Sequence, residues 1–416
     1  MMINSSPFSI LKNSILIIFT LGVICIISFP LHAQNIIQWR GDNRDGIYNE
    51  TGLMKKWTEN GPKILWHFDE LGKGYSSPII TPEKIFITGM INGKGNLFAL
   101  DLNGKLLWKT EYGTEWDESY PGTRTTPTLY DNKLYINSSY GLAICFDAAS
   151  GKILWSVDLM KAFKGTVPKW GIAESPLVFD DKVVFSAGGE DANIVALNKE
   201  NGQTIWTSKG KGDKSAYCSP HLITHNGNKL LITMTADHIL GIDPQKGDLI
   251  WSYEKKNKWS VHPNTPIYKD GLLYCVSGYG SGGVMLKLSD DGKSVSLVWK
   301  NETLDNQMGG VVLLEDKIYG SGHNNVEWHV LDWKTGNEKF KTKEIAKGTI
   351  IASDGMLYVY SDKGELGLLQ PTEAGFNIVS RVKITLGAEQ HWAHPVIKNG
   401  IFYVRHGNVL IAYSVK

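Results

Sequence analysis

The chain has 416 residues, of which 42 % are hydrophobic and 20 % are charged, and this composition excludes a disordered chain. Its 43 Lys and Arg residues against 42 Asp and Glu residues give a net charge of +1, which argues against nucleic acid as a partner because nucleic acid requires a basic face. The 44 Gly and 14 Trp residues predict many turns and a repeated position for a large aromatic ring.

Residues 1–33 have the pattern of a secretory signal peptide. Lys12 precedes an apolar run from Ile15 to Phe29, and Ala33 supplies the small residue that cleavage requires. We therefore expect cleavage after Ala33, a periplasmic or secreted protein, and no transmembrane segment after cleavage. An uncleaved membrane anchor is the alternative, although the apolar run is short for a membrane-spanning helix. Removal of this segment takes away one lysine and no acidic residue, so the mature chain is neutral.

Residues 34–61 precede the first repeat and are interpreted as a clasp across one face of the domain. The segment is rich in charge around one tryptophan, at Trp39, Arg40, Asp42, Arg44 and Asp45. Calcium-binding loops also alternate Asp with Asn, but this segment lacks the terminal Glu at the required spacing. A structural role is therefore favoured over a calcium loop.

Residues 62–416 are organised by a repeat that ends in a hairpin and a tryptophan. Asp101 is followed by Gly104 and Trp108, and Asp147 by Gly151 and Trp155. Further copies lead to Trp206 and Trp251, and weaker copies lead to Trp299 and Phe340. The spacings of 47, 51, 45 and 48 residues between successive tryptophans match the size of a four-stranded propeller blade. Glycine fits the tight turn because it adopts a positive φ without steric cost.

Each repeat opens with a short strand whose first residues are a small residue and proline. Pro is tolerated at the first residue of a strand, where no ladder hydrogen bond is lost. These dipeptides are Ser77-Pro78, Thr126-Pro127, Ser175-Pro176, Ser219-Pro220, Thr265-Pro266 and His394-Pro395. Gly309-Gly310 and Thr349-Ile350 occupy the same position in the two repeats without proline, which makes eight starts.

The last repeat has three strands, and its missing fourth strand lies near the N-terminus. The three strands are predicted at Pro395–Ile397, Ile401–Arg405 and Val409–Val415, and the fourth at Pro62–Trp66. Sharing one blade between the two ends closes the ring and protects the sheet edges. The sequence therefore predicts an all-β fold, an eight-bladed β-propeller of four-stranded antiparallel blades closed by the N-terminal strand, and a monomer.

The repeated tryptophans are interpreted as structural. An indole on the outer hairpin covers the gap to the neighbouring blade, and its N–H can donate to a backbone carbonyl. This role is assigned to Trp66, Trp108, Trp155, Trp206, Trp251 and Trp299. The three cysteines of the mature chain, Cys145, Cys218 and Cys275, are far apart and odd in number, so we expect small strand hydrophobes rather than disulfides.

The Asp-x-x-x-Gly-x-x-x-Trp unit with its preceding small-Pro strand resembles the propeller repeat of pyrroloquinoline quinone (PQQ) enzymes. The same repeat occurs in the propeller subunit of the outer-membrane β-barrel assembly machinery. The segments Gln38–Gly46 and Gly72–Pro78 are similar to those of a widespread group of exported PQQ-like propeller proteins. The resemblance covers the mature chain and implies the fold and a cell-envelope location, whereas one fold hosts many functions.

A ligand pocket is expected where the segments that enter the innermost strands converge around the axis. The residues before these strands are rich in aromatic rings, His and Arg, as in a ligand pocket, rather than in the Lys, Glu, Ser and Gly of ordinary loops. They are Tyr75, Arg124, Trp170, Glu174, Tyr217, Trp259, His262, Asn264, Gln307, His391, Trp392 and His394. A channel plugged by hydrogen-bonded polar side chains is the alternative.

The resemblance to PQQ enzymes raises PQQ and calcium as cofactors, although the sequence assigns neither. A tryptophan would stack on the quinone, Arg124 would pair with a carboxylate, and Glu174 with Asn264 would offer oxygens to Ca²⁺. The adjacent cysteine pair of PQQ alcohol dehydrogenases is absent, and Asp305 is the nearest candidate for a catalytic base. A metal site of His262, His391 and His394 is a further alternative, since neutral imidazoles bind transition metals, but no metal site is assigned.

Three functional classes therefore remain. We favour a non-catalytic binding or scaffold propeller of the periplasm or the outer membrane, with an envelope protein, a glycan or a small molecule as its partner. The alternatives are a PQQ- and calcium-dependent dehydrogenase and a carbohydrate-active enzyme that uses the same His, Tyr and Arg residues as acid, base and carboxylate clamp. The sequence does not assign catalytic residues.

Overall fold

The computed structural model describes residues 1–2 and 36–416, so the expected signal peptide and its cleavage site lie outside the described residues. In the described part, 34 strands form eight sheets whose blade strands are antiparallel, and there is one helix of five residues. This arrangement confirms the predicted eight-bladed β-propeller. None of the helices in the described part is long and apolar enough to cross a membrane.

Each of the first seven blades has four consecutive strands, whereas blade 8 takes one of its four strands from the N-terminal side. The first four blades are β4–β7 (Ile79–Ile80, Lys84–Ile91, Lys94–Asp101, Leu106–Thr114), β8–β11 (Thr128–Tyr130, Lys133–Asn137, Leu142–Asp147, Ile153–Asp158), β12–β15 (Leu177–Phe179, Lys182–Phe185, Ile194–Asn198, Thr204–Ser208) and β16–β19 (His221–His225, Asn228–Met234, His238–Ile242, Leu249–Glu254). The next three blades are β20–β23 (Ile267–Lys269, Leu272–Ser277, Gly282–Leu288, Val295–Asn301), β24–β27 (Val312–Leu314, Lys317–Ser321, Trp328–Asp332, Glu338–Thr342) and β28–β31 (Gly348–Ser353, Met356–Ser361, Glu365–Pro371, Phe376–Lys383). Blade 8 consists of β32 (Val396–Lys398), β33 (Ile401–His406), β34 (Val409–Ser414) and β3 (Ile64–Phe68). The helix α1 (Leu159–Phe163) follows blade 2.

The ring closes through the pairing of β3 with β34. The two strands are antiparallel, with Trp66 opposite Ala412 and Phe68 opposite Leu410. The closing strand lies two residues later than the predicted Pro62–Trp66, because the ladder begins at Ile64. The prediction of a last blade shared between the two ends of the propeller is confirmed.

Two short strands before the propeller extend blades 2 and 7. Strand β1 (Ile36–Ile37) pairs antiparallel with β8, and β2 (Ile47–Tyr48) pairs in parallel with β28. Both partners are the first strands of their blades, so the two sheets become five-stranded at the edge that faces the axis. The segment between β1 and β2 is thereby held over the centre of the ring.

The outer turn is held by an aspartate in blades 1 and 4, and in five blades it requires glycine for two reasons. The Asp101 side chain accepts hydrogen bonds from the N–H groups of Asn103 and Lys105, and Asp243 does the same in blade 4. The glycines that follow have φ between 71° and 81° at Gly104, Gly151, Gly202, Gly247 and Gly336. A Cβ at any of these five positions would lie within 3 Å of the indole of the preceding blade. The turn and the neighbouring tryptophan therefore both exclude a side chain.

The repeated tryptophans lie between adjacent blades. Four of the six indole N–H groups donate to a carbonyl of the next blade: Trp66 to Leu102, Trp155 to Lys199, Trp206 to Pro244 and Trp299 to Trp333. Trp155, Trp206, Trp251 and Trp299 are buried, whereas Trp66 and Trp108 are half-buried. Within the described residues the N–H groups of Trp108 and Trp251 have no acceptor, so packing rather than hydrogen bonding holds these two rings.

The hydroxyl residues that begin the blades bond their neighbours around the axis. The backbone N–H of Ser77 donates to Thr126 Oγ1 at 2.9 Å, and Ser77 Oγ donates to the carbonyl of His394 at 2.8 Å. The N–H of Ser175 donates to Ser219 Oγ at 2.9 Å. The Ser or Thr before proline therefore links the innermost strands of successive blades, which explains the small polar residue at this position.

The three cysteines of the propeller are buried and unpaired, within strands or just before one. Burial raises the pKa of the Cys145 and Cys218 thiols to about 12, so both stay protonated. These residues act as small apolar side chains.

Replacing Trp155 with alanine tests the interblade role of the tryptophans. The ring is 8 % exposed and packs against Tyr135 with centroids 6.1 Å apart. We expect W155A to lower the free energy of unfolding by about 3–5 kcal/mol, as for other truncations of large buried rings. The matched control is W259A, because Trp259 is 40 % exposed and its loss should change the stability by less than about 1 kcal/mol. Equal melting temperatures for the wild type and W155A would contradict the assignment.

Candidate functional site

A cavity of about 510 Å³ lies where the loops that enter the innermost strands converge, and we call it the cup. In a four-stranded antiparallel blade, the connection into the first strand and the connection between the second and third strands lie on the same face. The cup opens on this face, which we call the mouth face. Its volume falls within the range of pockets that hold small organic ligands.

Seven of the twelve residues expected at this site line the cup. They are Tyr75, Arg124, Trp170, Tyr217, Gln307, Trp392 and His394. The loops that carry them precede β4, β8, β12, β16, β24 and β32, so six of the eight blades contribute.

The other five expected residues do not line the cup. Trp259 is exposed beside it and contacts Trp170, with ring centroids 6.2 Å apart. Glu174, His262 and Asn264 are buried in the protein, and His391 stacks on His406 with centroids 3.7 Å apart. The three histidines of the alternative metal site, His262, His391 and His394, have separate protein partners, and no group of three or more metal-binding side chains occurs among the residues that the structure describes.

The cup also contains residues that the sequence analysis did not select. Tyr279, His323 and Asp362 lie between the second and third strands of blades 5, 6 and 7, and Tyr120 lies earlier in the connection before β8. The sequence prediction rested on the segments directly before first strands. The connections between second and third strands also reach the mouth face, because of the topology of an antiparallel blade. Asp362 supplies a carboxylate, whereas Asp305, the candidate base, is buried and accepts the backbone N–H groups of Gly280 and His323.

The floor of the cup is the loop between β1 and β2. Trp39 lines the cavity and lies edge-on to His394, with ring centroids 5.2 Å apart. Arg40 donates to the carbonyl of Val311, just before β24, and to the carbonyl of Ile350 in β28. The segment expected to cross a face therefore inserts its side chains into the axis and closes the cup from below.

Arg44 acts in the same way on the other side of the axis. Its guanidinium donates to the carbonyls of Ser175 and Pro176 at 2.9 and 2.6 Å and to Gln38 Oε1 at 2.7 Å. Burial lowers the pKa of both Arg40 and Arg44 to about 10, so both remain charged at neutral pH. Neither forms an ion pair within 4.0 Å in the described part of the chain, and backbone carbonyls serve as most of their acceptors.

His394 links the floor to the wall of the cup. Its Nδ1 lies 3.0 Å from the Arg40 guanidinium and its Nε2 lies 2.8 Å from the carbonyl of Met308. Because Arg40 can only donate, Nδ1 accepts and Nε2 carries the proton. Burial, and secondly the Arg40 charge, lowers the pKa of His394 well below its usual value, so the ring is neutral.

One wall of the cup is built around Arg124. Its guanidinium lies over the rings of Tyr75 and Trp116, 5.6 and 5.8 Å from their centroids. It donates to the carbonyls of Gly122 and Tyr120, which hold its loop. Burial lowers the Arg124 pKa, and burial also raises the Tyr75 pKa to about 12, so a cation faces a neutral phenol.

The opposite wall carries Lys347, His323 and Asp362. Lys347 Nζ lies 2.9 Å from His323 Nδ1, and burial lowers the pKa of Lys347 from its usual value. Asp362 Oδ1 is buried and has no hydrogen-bond partner among the described residues. The cup therefore presents a cation on each wall and one acceptor oxygen that lacks a donor.

The residues proposed for PQQ and calcium do not form a calcium site. Glu174 Oε1 accepts the N–H of Ser186 at 2.7 Å and Asn137 Nδ2 at 3.2 Å, and burial raises the Glu174 pKa to about 7. Asn264 donates to the carbonyl of Asn306 and lies outside the cup. A Ca²⁺ site needs six to eight oxygens around one point, which this donor set does not offer. Aromatic rings and Arg124 would accommodate a flat anion. The Glu174 carboxylate that was expected to hold its calcium ion is instead bonded to Ser186 and Asn137.

The fold and the cup define an eight-bladed propeller with a one-ended pocket on its axis. Residues 93–342 match the sequence model of the family described as "Outer membrane protein assembly factor BamB". The chain belongs to this family of PQQ-like propeller repeats.

Curated relatives include both enzymes and assembly factors. The tetrathionate hydrolase of Acidithiobacillus ferrooxidans is 26 % identical over 250 residues, which cover 55 % of this chain and 46 % of the relative. The quinoprotein alcohol dehydrogenase PedH of Pseudomonas putida is 28 % identical over 40 % of this chain and 27 % of its own length. The chain thus spans less than half the length of these two relatives. The crystal structure of BamB from Moraxella catarrhalis shares the fold, with a TM-score of 0.61 at 15 % identity over 85 % of this chain and 99 % of that one.

Replacing Arg44 with methionine tests the role of the floor. The change keeps an unbranched side chain but removes the guanidinium, so the buried carbonyls of Ser175 and Pro176 lose their donor. We expect R44M to lower the free energy of unfolding by about 2–4 kcal/mol, measured by chemical denaturation. The control is R381M, which removes an exposed arginine that bonds one carbonyl and should change the stability by less than about 0.5 kcal/mol. Similar losses in both variants would contradict the role of Arg44.

The neutral state of His394 predicts acid sensitivity. In the unfolded chain the ring titrates with a pKa of about 6.5, whereas in the folded protein its pKa lies well below this value. Its contribution to stability is therefore complete above about pH 6.5 and is lost as the pH falls, by at most about 1.4 kcal/mol per pH unit. Asparagine at this position can still accept from Arg40 but does not titrate. The free energy of unfolding should fall less between about pH 7 and about pH 5 in H394N than in the wild type, and equal slopes would contradict the assignment.

Proposed function

We propose that this chain is a non-catalytic binding propeller of the cell envelope whose ligand site is the cup. The main support for this proposal is that the axis of the ring is closed below the cup. Because Arg40 and Arg44 fill the axis below Trp39, the cavity is a pocket with one opening rather than a channel. An export pattern in residues 1–33 and the outer-membrane name of the matching family support the location.

The hydrogen bonds of the polar groups support binding over catalysis. Glu174, Asp305 and His394 are each held by protein donors or acceptors, and His262 is buried with its Nε2 bonded to the carbonyl of Ala236. Burial lowers the pKa of His262 to about 3, so it stays neutral across the physiological range. A general acid or base must instead reach the substrate with a pKa near the working pH.

Titration of the mature chain with PQQ and Ca²⁺ tests this proposal against the quinoprotein alternative. Tryptophan fluorescence follows binding, because Trp39, Trp170 and Trp392 line the cup. We expect no calcium-dependent, saturable binding in the micromolar range and no reduction of an electron-acceptor dye with alcohols or sugars. Saturable binding that is lost in R124A, together with dye reduction, would overturn the proposal and identify an oxidoreductase. K152Q, an exposed change in the turn before β11, is the matched control for R124A.

A further inference from the structure

Neither cation of the cup forms an ion pair, although Asp362 and Asp305 lie near Lys347 and Glu115 lies near Arg124. Arg124 and Lys347 are half-buried on opposite walls, and neither lies within 4.0 Å of a carboxylate in the described part of the chain. The acidic side chains beside the Arg124 wall have other contacts, since Glu389 pairs with Lys73 and Asp117 accepts from Tyr140. Half-buried cations without a directly paired carboxylate favour an anionic ligand, which would form charge-assisted hydrogen bonds with them.

The cup also lacks a donor for one acceptor. Asp362 Oδ1 is buried without a hydrogen-bond partner among the described residues, and leaving such an oxygen unpaired is costly. A hydroxyl group of a ligand would satisfy it, because an anion alone brings only acceptors and would repel the carboxylate. The ligand is therefore expected to carry hydroxyl donors as well as negative charge.

Two groups of contacting aromatic rings, which we call the arms, flank the cup. On one side Tyr120 packs on Trp392 and Trp392 on Tyr75, with centroids 4.8 and 5.2 Å apart. On the other side Tyr217, Trp170 and Trp259 are in contact, with centroids 6.4 and 6.2 Å apart. The outermost rings are exposed, Tyr120 by 46 % and Trp259 by 40 %. Tyr75, Tyr120 and Trp392 line the cavity itself, whereas Trp259 extends the second arm beyond it, as a ligand longer than the cup would require.

The Trp259 arm adds further positive charge. Lys169 Nζ lies 4.5 Å from the Trp259 centroid and 5.0 Å from the Trp170 centroid, and Lys258 Nζ lies 5.2 Å from the Trp259 centroid. These lysines hold the rings in place by cation–π contact and keep a positive potential along the arm. Rings and cations therefore alternate along the site.

We propose that the cup and its two arms bind an acidic oligosaccharide, a chain of pyranose rings that carry carboxylates. The C–H faces of pyranose rings pack on aromatic rings, their carboxylates pair with Arg124 and Lys347, and their hydroxyls donate to Asp362. This inference rests on the proposed binding function and names its ligand class.

The alternatives fit the same observations less well. A quinone tricarboxylate has no hydroxyl donors for Asp362. An extended peptide that binds by strand addition needs an open strand edge. The first strands of blades 1 and 2, and of blades 3 and 4, are linked through Ser77, Thr126, Ser175 and Ser219, and those of blades 2 and 7 are covered by β1 and β2, which leaves little edge for a peptide in the described structure.

The test measures binding of three probes to the mature chain by calorimetry. The first probe is oligogalacturonate, which carries both pyranose rings and charge. The second is the same oligomer as its methyl ester, which carries the rings without the charge, and the third is a hexaglutamate peptide, which carries charge without pyranose rings. We expect saturable binding of oligogalacturonate and binding at least about ten-fold weaker for the other two probes, the difference that one charge-assisted hydrogen bond supplies.

Three variants place the binding in the cup. R124Q should weaken oligogalacturonate binding at least about ten-fold, and R124K should retain part of it because the charge remains. W259A removes an exposed ring and should weaken binding without changing the melting temperature, so it stays informative even if R124Q folds poorly. K152Q lies in the turn before β11, away from the cup, and should bind as the wild type does.

Each outcome decides the proposal. No binding, equal binding of the ester or the peptide, or binding unaffected by R124Q and W259A would overturn the ligand assignment and leave the proposed binding function standing. Binding followed by new reducing ends or unsaturated products would instead support the ligand class and overturn the non-catalytic function.

Discussion

Within its own blade, each first strand has a strand neighbour on one side only, and its other edge faces the axis of the ring. Unpaired N–H and C=O groups at a buried edge are costly unless they find partners. In this protein the partners are side chains and two short strands from outside the propeller. Hydroxyl groups such as those of Thr126 and Ser219 accept from neighbouring blades, and β1 and β2 pair with two of the axial strands. The need to satisfy these edges determines what fills the centre of the molecule.

Arg40 and Arg44 also supply donors to carbonyls around the axis, but they do so by burying a charge. Each places a full charge in a buried position and is stabilised by carbonyls rather than by carboxylates. Such an arrangement is favourable only while every donor is used, since a buried charge without partners is strongly destabilising. The polar groups of the axis, including Glu174 and His394, are consequently committed to structure, and the groups left for a ligand lie above Trp39. The boundary between structural and ligand-binding polar residues follows the depth along the axis.

The sequence was sufficient to predict the ring and insufficient to predict its centre. The missing strand of the last repeat predicted the closure, since only Pro62–Trp66 remained to supply it, and the structure places that strand at Ile64–Phe68. The residues before the first strands predicted much of the cup, because those segments converge by topology. The insertion of Arg40 and Arg44 could not be predicted, because their acceptors are carbonyls of Val311, Ile350 and Ser175 that are distant in sequence and have no sequence signature.

His323 and Asp362 were missed for a different reason. They lie between second and third strands, a connection that reaches the same face as the segments that were considered. A topological rule, applied to the predicted hairpins, would have included them. Glu174 shows the opposite limit, because its position before a first strand is correct for the cup while its depth buries it beside Ser186 and Asn137. Depth along the axis depends on packing and is not encoded in the repeat.

The contact between a tryptophan and the glycine of the next turn is directional. Blade 2 gives Trp155 to Gly202 of blade 3 and receives Trp108 of blade 1 on its own Gly151, so each blade uses two different surfaces. A contact of this head-to-tail kind closes into a ring only when the rotation from one unit to the next divides a full circle, and otherwise it continues as an open helix. The angle fixed by indole against glycine, at five of the eight interfaces, therefore contributes to the number of blades. Duplication of a single repeat would not give a larger ring unless every such contact adjusted together.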